Sequence, residues 1–168
     1  MNRTIMMLGV HGVGKSYLLK QLNYSSITAS DLIREYKNSD QMKRVKDISS
    51  NQNVLLKAIV CKKLLGKKYI LDGHCCLLDE ENNIRKIELD MFDKLGLCGV
   101  IVLEEDVNII CQRLKERDNL IINHDLMERF QNQELTYAEK IANELEIPFL
   151  QAKGNVDYIR KFVDMLWR

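Results

Sequence analysis

Proline is nearly missing from this chain: Pro148 is the single one in 168 residues. Aromatic residues make up only 7%, and no tract is dominated by glycine, serine or proline. These scarcities exclude collagen-like, proline-rich and low-complexity classes. No stretch approaches the ~18 consecutive apolar residues of a membrane-spanning helix. The apolar run Thr4–Leu8 is too short for the core of a signal peptide and leads straight into glycine. No CxxC spacing occurs among the five cysteines, Cys61, Cys75, Cys76, Cys98 and Cys111. An odd count without metal-ligand spacing points to reduced thiols and a cytoplasmic setting. A metal site on His74, Cys75 and Cys76 is disfavoured, because adjacent residues rarely aim at one ion. The net charge of +1 lacks the basic excess of a dedicated duplex-DNA binder, and there is no strong sign of nucleic-acid binding.

What remains is the composition of an ordinary soluble domain, with 46% hydrophobic and 29% charged residues. The length suits one domain spanning 1–168 with a core of its own. The small total charge hides an asymmetry. Residues 34–68 carry a net +7 and residues 79–146 a net −9. Solvated helix faces explain both, although a basic segment can also wall a site for an anion.

Short apolar runs alternate with longer helical periods, the pattern of an α/β fold with a parallel sheet. Strands are predicted at Thr4–Leu8, Ser26–Thr28, Lys68–Leu71, Gly99–Leu103 and Ile147–Leu150. Helices are predicted at Lys15–Leu22, Asp31–Tyr36, Asn51–Leu65, Val107–Arg117, Asp125–Leu145 and Val156–Leu166. Ser30 and Asp106 stand as N-caps before two of them. A small hairpin is expected between Cys75–Leu78 and Ile84–Ile87.

The strongest motif is Gly9-Val10-His11-Gly12-Val13-Gly14-Lys15-Ser16, which fits G-x-x-x-x-G-K-[ST] between a strand and a helix. Its glycines permit backbone angles and close approaches that a Cβ forbids. Successive N–H groups, up to Tyr17, can then surround a phosphate chain at the positive end of the helix. Lys15 can reach β- and γ-phosphates, and the Ser16 hydroxyl can ligate Mg²⁺. His11 occupies a variable position of the loop and carries no specific signal. The strand Tyr69-Ile70-Leu71 ends in Asp72, whose carboxylate can complete the Mg²⁺ site.

Arginines then separate phosphoryl transfer from other uses of such a loop. Val107, Ile110, Cys111 and Leu114 form an apolar stripe, and Arg113 and Arg117 flank it four residues apart. Arg129 flanks a second stripe made by Leu126, Phe130, Tyr137, Ile141 and Leu145. Three guanidinium groups on two helices could stabilise a transferring phosphoryl group. Glu134 falls inside that second apolar stripe, where a carboxylate is costly unless paired; it can snorkel, or pair with an arginine or a ligand, and a structural pair is favoured. His74, two residues past Asp72, can face the γ-phosphate or a hydroxyl, or simply satisfy a loop. Lys43, Arg44 and Lys46 read as a solvated face before an acceptor-phosphate or RNA contact.

Over most of its length, from Thr4 to about Leu150, the chain resembles the adenylate-kinase-like branch of P-loop nucleoside monophosphate kinases, including archaeal and eukaryotic nuclear members. The phosphate loop matches Gly9–Ser16. An acceptor element of the type T-G-D-x-x-R is similar to Ala29-Ser30-Asp31-Leu32-Ile33-Arg34, which assigns Asp31 and Arg34 to the acceptor. The lid-entrance R-x-x-x-R resembles Arg113 to Arg117, and a later arginine resembles Arg129. The Asp-x-His of nuclear members resembles Asp72-Gly73-His74. The resemblance implies a three-layer α/β/α P-loop NTPase fold with a five-stranded parallel sheet. It also implies ATP and Mg²⁺ as cofactors, an acceptor-binding segment at about 30–66 and a short lid at about 117–125. The activity implied is transfer of the γ-phosphoryl of Mg·ATP to a small acceptor, a nucleoside monophosphate. Two departures stand out: the run after Asp72 lacks the family's acceptor arginine, and Ala29 replaces its threonine. They keep two alternatives open, an ATPase or switch acting on an RNA or protein partner, and a kinase for a non-nucleotide metabolite.

Overall fold

The computed structural model describes residues 3–38 and 48–168, without the side chains of 48–50. The basic cluster Lys43, Arg44 and Lys46 lies outside the described residues.

Thr4–Leu8 (β1) is buried along its whole length, as a strand with both faces covered must be. It lies in the middle of a five-stranded parallel sheet ordered β2-β3-β1-β6-β7. Its companions are Ser26–Thr28 (β2), Tyr69–Asp72 (β3), Leu97–Leu103 (β6) and Phe149–Ala152 (β7). A separate antiparallel hairpin pairs Cys76–Leu78 (β4) with Ile84–Lys86 (β5). The helices are Lys15–Leu22 (α1), Ala29–Asn38 (α2), Ile48–Cys61 (α3), Leu89–Lys94 (α4), Val107–Asp118 (α5), His124–Glu144 (α6) and Val156–Trp167 (α7). They flank the sheet in the three-layer α/β/α arrangement of a P-loop kinase-like fold, with α1 against α7, α2 against α3 and α5 against α6. Among the described residues no helix is long and apolar enough to cross a membrane.

The sheet brings the ends of β1 and β3 side by side. Met7 pairs with Asp72, so the phosphate loop and the Asp72 turn leave the same edge of adjacent parallel strands. The order of strands reverses direction around β1, the place where open α/β sheets bind their ligands.

Several local expectations change. Helix α2 starts at Ala29, directly after β2, so Ser30 sits in its first turn and does not cap it. Asp106 does cap α5, accepting from the Asn108 N–H at 2.8 Å. Helix α3 stops at Cys61, short of the predicted Leu65, where Lys63 turns to φ 53° and Leu64 N–H reaches back to the Ile59 carbonyl. Helix α4 has no counterpart in the sequence reading. It is only six residues long, and its Glu88 N-cap makes no side-chain capping bond. Its Met91 and Phe92 are buried, so packing and not local signal holds it. The hairpin forms as expected, its turn fixed by Asp79, which accepts the N–H groups of Glu81 and Asn83.

Candidate active site

The phosphate loop leaves β1 through three glycines with φ of 144° at Gly9, 83° at Gly12 and 110° at Gly14. At Gly12 a side chain is excluded twice over: by that backbone angle, and because a Cβ would stand 3.0 Å from Leu114 Cγ and 3.2 Å from the Ile110 carbonyl oxygen. The loop therefore lies directly against α5. Helix α1 opens from Gly14 without any side-chain cap, which leaves its first-turn amides to a ligand.

Lys15 is buried beneath the loop. Its ammonium donates to the Gly9 carbonyl and lies 3.2 Å from His74 Nε2 and 3.8 Å from Asp72 Oδ1. Burial lowers its pKa, and the carboxylate of Asp72 opposes that shift. Accepting from an ammonium places the proton of neutral His74 on Nδ1. The His74 ring also packs on His11, with centroids 4.3 Å apart. Burial first, then the charge on Lys15, holds both imidazoles below their ordinary pKa, His74 far below.

Asp72 is buried, and its Oδ1 has no hydrogen-bond partner. Burial raises its pKa while Lys15 pulls the other way. An orphaned buried carboxylate oxygen facing the phosphate loop, with the Ser16 hydroxyl on the same cleft, is a donor set that suits Mg²⁺.

The sequence reading understated Glu134. This residue of α6 is 1% exposed, and its partners are backbone amides, not an arginine. One carboxylate oxygen accepts from Gly9 N–H at 3.2 Å and Cys75 N–H at 3.0 Å, and the other from Cys76 N–H at 2.7 Å. Glu134 thus ties the start of the phosphate loop to the turn after Asp72. Cys75, Cys76 and Glu134 are close enough to surround an ion. However, burial pushes the Cys75 thiol pKa strongly up, and the carboxylate is already taken by backbone amides. The three form a packed structural knot. A carboxylate inside an apolar stripe was the visible signal; its backbone partners were not.

The arginines divide. Arg113 donates from Nη1 to the carbonyls of Gly12 and Val13, both at 3.2 Å, and pairs with Glu105 at 3.2 Å. Arg117 also lines the cleft and forks onto Asp118. Arg129, expected beside them, points to its own helix, where it meets the Asp125 carbonyl, and it does not line the cleft. Asp31 and Arg34 pair with each other at 2.5 Å and likewise stay outside it. Arginine spacing on a helix shows which side chains are neighbours, not which way they turn. Tyr17 and His11 lie at the exposed rim.

All of this opens onto a cleft of about 1260 Å³. Ligand pockets usually measure roughly 300–1,000 Å³, so this cleft is larger than a single ordinary ligand site. The wall opposite the phosphate loop is built by Asn51, Gln52 and Leu55 of α3, which fall within the expected acceptor segment at about 30–66, together with the hairpin and α4, which sequence reasoning did not place there.

Solved structures share this fold across nearly their whole length. A gluconokinase from Sinorhizobium meliloti 1021 is 17% identical, with 98% of this chain and 91% of that chain covered and a TM-score of 0.53. The tunicamycin resistance protein of Deinococcus radiodurans is 15% identical, over 88% of this chain and 97% of that one, at a TM-score of 0.52. A deoxyadenosine kinase from M. mycoides, solved with dCMP and dCDP bound, is 16% identical, over 96% of each chain, at 0.50. At these identities the likeness is one of fold. A search of curated proteins finds no match. The family model described as an AAA domain matches residues 8–126, more than two thirds of the sequence, and the chain belongs to that family.

Proposed function

We propose that this protein is an ATP-dependent phosphotransferase of the nucleotide-kinase type, which moves the γ-phosphoryl of Mg·ATP to a small acceptor. The observation that carries this reading is the meeting of Lys15, Asp72 and His74 at the mouth of the phosphate loop, beside a cleft larger than a single ordinary ligand site. A loop that only held nucleotide would not need the extra space. The kinases among the structures of similar fold support the reading.

The residues divide the work. The amides of residues 9–17 and the N-terminus of α1 bind the phosphate chain. Lys15, held in place by the Gly9 carbonyl and His74, gives its ammonium to the β- and γ-phosphates. Ser16 and Asp72 would hold Mg²⁺, which would offset the charge of the phosphates. Arg113 and Arg117 stand on the cleft wall to stabilise charge that builds on the phosphoryl oxygens. His74 sits where it can orient an acceptor hydroxyl. Positioning and electrostatics suffice, and no covalent enzyme intermediate is needed. Asp72-x-His74 and the Arg113–Arg117 pair support the likeness to the adenylate-kinase-like branch. Arg34 and Arg129 would join the site only by turning from their present partners.

The experiment is thermal unfolding with and without Mg·ATP. A ligand that binds only the folded state raises apparent stability. Wild-type protein should gain stability and Lys15→Ala should not. Equal shifts in both would remove the phosphate loop from the account.

A further inference from the structure

Just past the end of β6, the Glu104 N–H still pairs with the Ala152 carbonyl of β7 at 3.0 Å. At the next residue a side chain takes over the pairing. Gln131 of α6 accepts the Glu105 N–H on Oε1 at 3.0 Å and donates Nε2 to the Glu105 carbonyl at 2.9 Å. One amide thus meets both backbone groups of Glu105 from 26 positions away. Gln131 is 7% exposed, a place where an amide is costly unless both its ends are satisfied.

The carboxylate of Glu105 is fixed from the same point. Its Oε1 accepts the Asp106 N–H at 3.0 Å, and Asp106 in turn caps α5. Its Oε2 meets Arg113 Nη2 at 3.2 Å. Arg113 Nη1 donates to the carbonyls of Gly12 and Val13, both at 3.2 Å. A chain of contacts therefore runs from buried Gln131 through Glu105 to Arg113 and ends on the phosphate loop. Glu105 and Arg113 line the cleft, and Gln131 does not.

The Arg113 side chain is 44% exposed. A long side chain at such a place has much rotamer freedom to lose when it is held in one arrangement. An ordinary exposed ion pair holds it weakly. Glu105 differs, because its backbone is bonded on both sides and its side chain is only 28% exposed. A guanidinium kept beside the loop before substrate arrives needs no reorganisation when charge develops on the phosphoryl group.

We infer that Glu105 and Gln131 are positioning residues for phosphoryl transfer and act through Arg113. Gln131 fixes the backbone of Glu105, and the Glu105 carboxylate keeps the guanidinium against the phosphate loop. This rests on the kinase reading above.

The test is a double-mutant cycle on the full chain. Turnover is followed with γ-labelled Mg·ATP and a panel of nucleosides, nucleoside monophosphates and other small hydroxyl compounds. The kcat and the KM for ATP are measured with the panel member that wild-type protein uses best. Glu105→Ala should lower kcat about tenfold, as misplacing a group near the reacting atoms does. Its KM for ATP should stay within about twofold, the mark of an interaction used in the transition state. Glu105→Gln keeps an acceptor oxygen and should lose less than Glu105→Ala. Gln131→Leu removes both backbone bonds and should also lower kcat; if it does not fold, Glu105→Ala carries the test. In the Arg113→Ala background each of these changes should cost less than about a further twofold, because the group they act on is gone. Equal fold-losses in both backgrounds, a kcat unchanged or raised in Glu105→Ala, or a loss confined to KM would overturn the inference. If wild-type protein passes label to no acceptor, the kinase reading fails and this inference with it; if it passes label but the cycle is additive, only this inference fails.

Discussion

The carboxylate of Glu134 accepts the backbone N–H of Gly9, the residue that opens the phosphate loop, at 3.2 Å across 125 positions of sequence. The same side chain accepts the N–H groups of Cys75 and Cys76. The exits of β1 and β3, which carry Lys15 and Asp72, are thereby fastened to α6. The register of the sheet brings the two exits together, and Glu134 fixes how they leave it.

Glu134→Gln therefore acts on both turns. An amide keeps one acceptor oxygen and sets an NH₂ against a backbone N–H. Leaving one buried amide unsatisfied should cost about 1–3 kcal/mol. Urea unfolding should show that loss, and the affinity for Mg·ATP should fall with it. Wild-type stability together with wild-type affinity would deny Glu134 this bracing part.

The pair His11 and His74 gives the ligand-free protein a pH signature. Both fall below the ordinary 6.5 in the folded state. Just below pH 6.5 the unfolded chain takes up protons that the folded one refuses. Stability from these groups is thus complete above 6.5 and declines as the pH falls below it, toward their lowered values. Asp72 and Glu134, both shifted upward by burial, act with the opposite sign as the pH rises above the ordinary carboxylate range. Comparing urea midpoints of wild type and His74→Asn across this range isolates the histidine part. The decline should be shallower in the variant, and identical slopes would contradict it.

The arginines separate by position. Arg113 touches the phosphate loop, whereas Arg129 is exposed and bonds within its own helix. Arg113→Ala should lower turnover about 10²–10³-fold, the usual loss when one donor to a developing charge is removed. Arg129→Ala should stay within about twofold, as distant surface changes do. Steady-state kinetics at saturating Mg·ATP measure both. Equal losses would mean that Arg129 swings into the cleft during the reaction.

The candidate phosphate site is legible in the sequence because that chemistry is local. Gly9 to Ser16 are consecutive, and Asp72 ends a strand whose apolar pattern is plain. All five sheet strands and the hairpin were legible for the same reason, through period and turn residues. What was not legible depends on long-range packing. Helix α4 is too short for a period and owes its existence to burying Met91 and Phe92. Glu134 announced itself as a carboxylate in an apolar stripe, but amides 125, 59 and 58 positions away could not be read from it. Arg34 matched an acceptor motif, yet Asp31 three residues earlier holds it on the surface. The wall opposite the phosphate loop assembles from α2, α3, the hairpin and α4, and only the fold brings them together.

The claim of phosphoryl transfer is tested most directly by following the labelled γ-phosphate of ATP in the presence of a panel of nucleosides, nucleoside monophosphates and other small hydroxyl compounds, with wild-type protein and with Lys15→Ala. In the wild type the label should pass to an organic product in step with ADP formation, and in Lys15→Ala that product should vanish. Label recovered only as inorganic phosphate, or transfer undiminished in Lys15→Ala, would contradict the account.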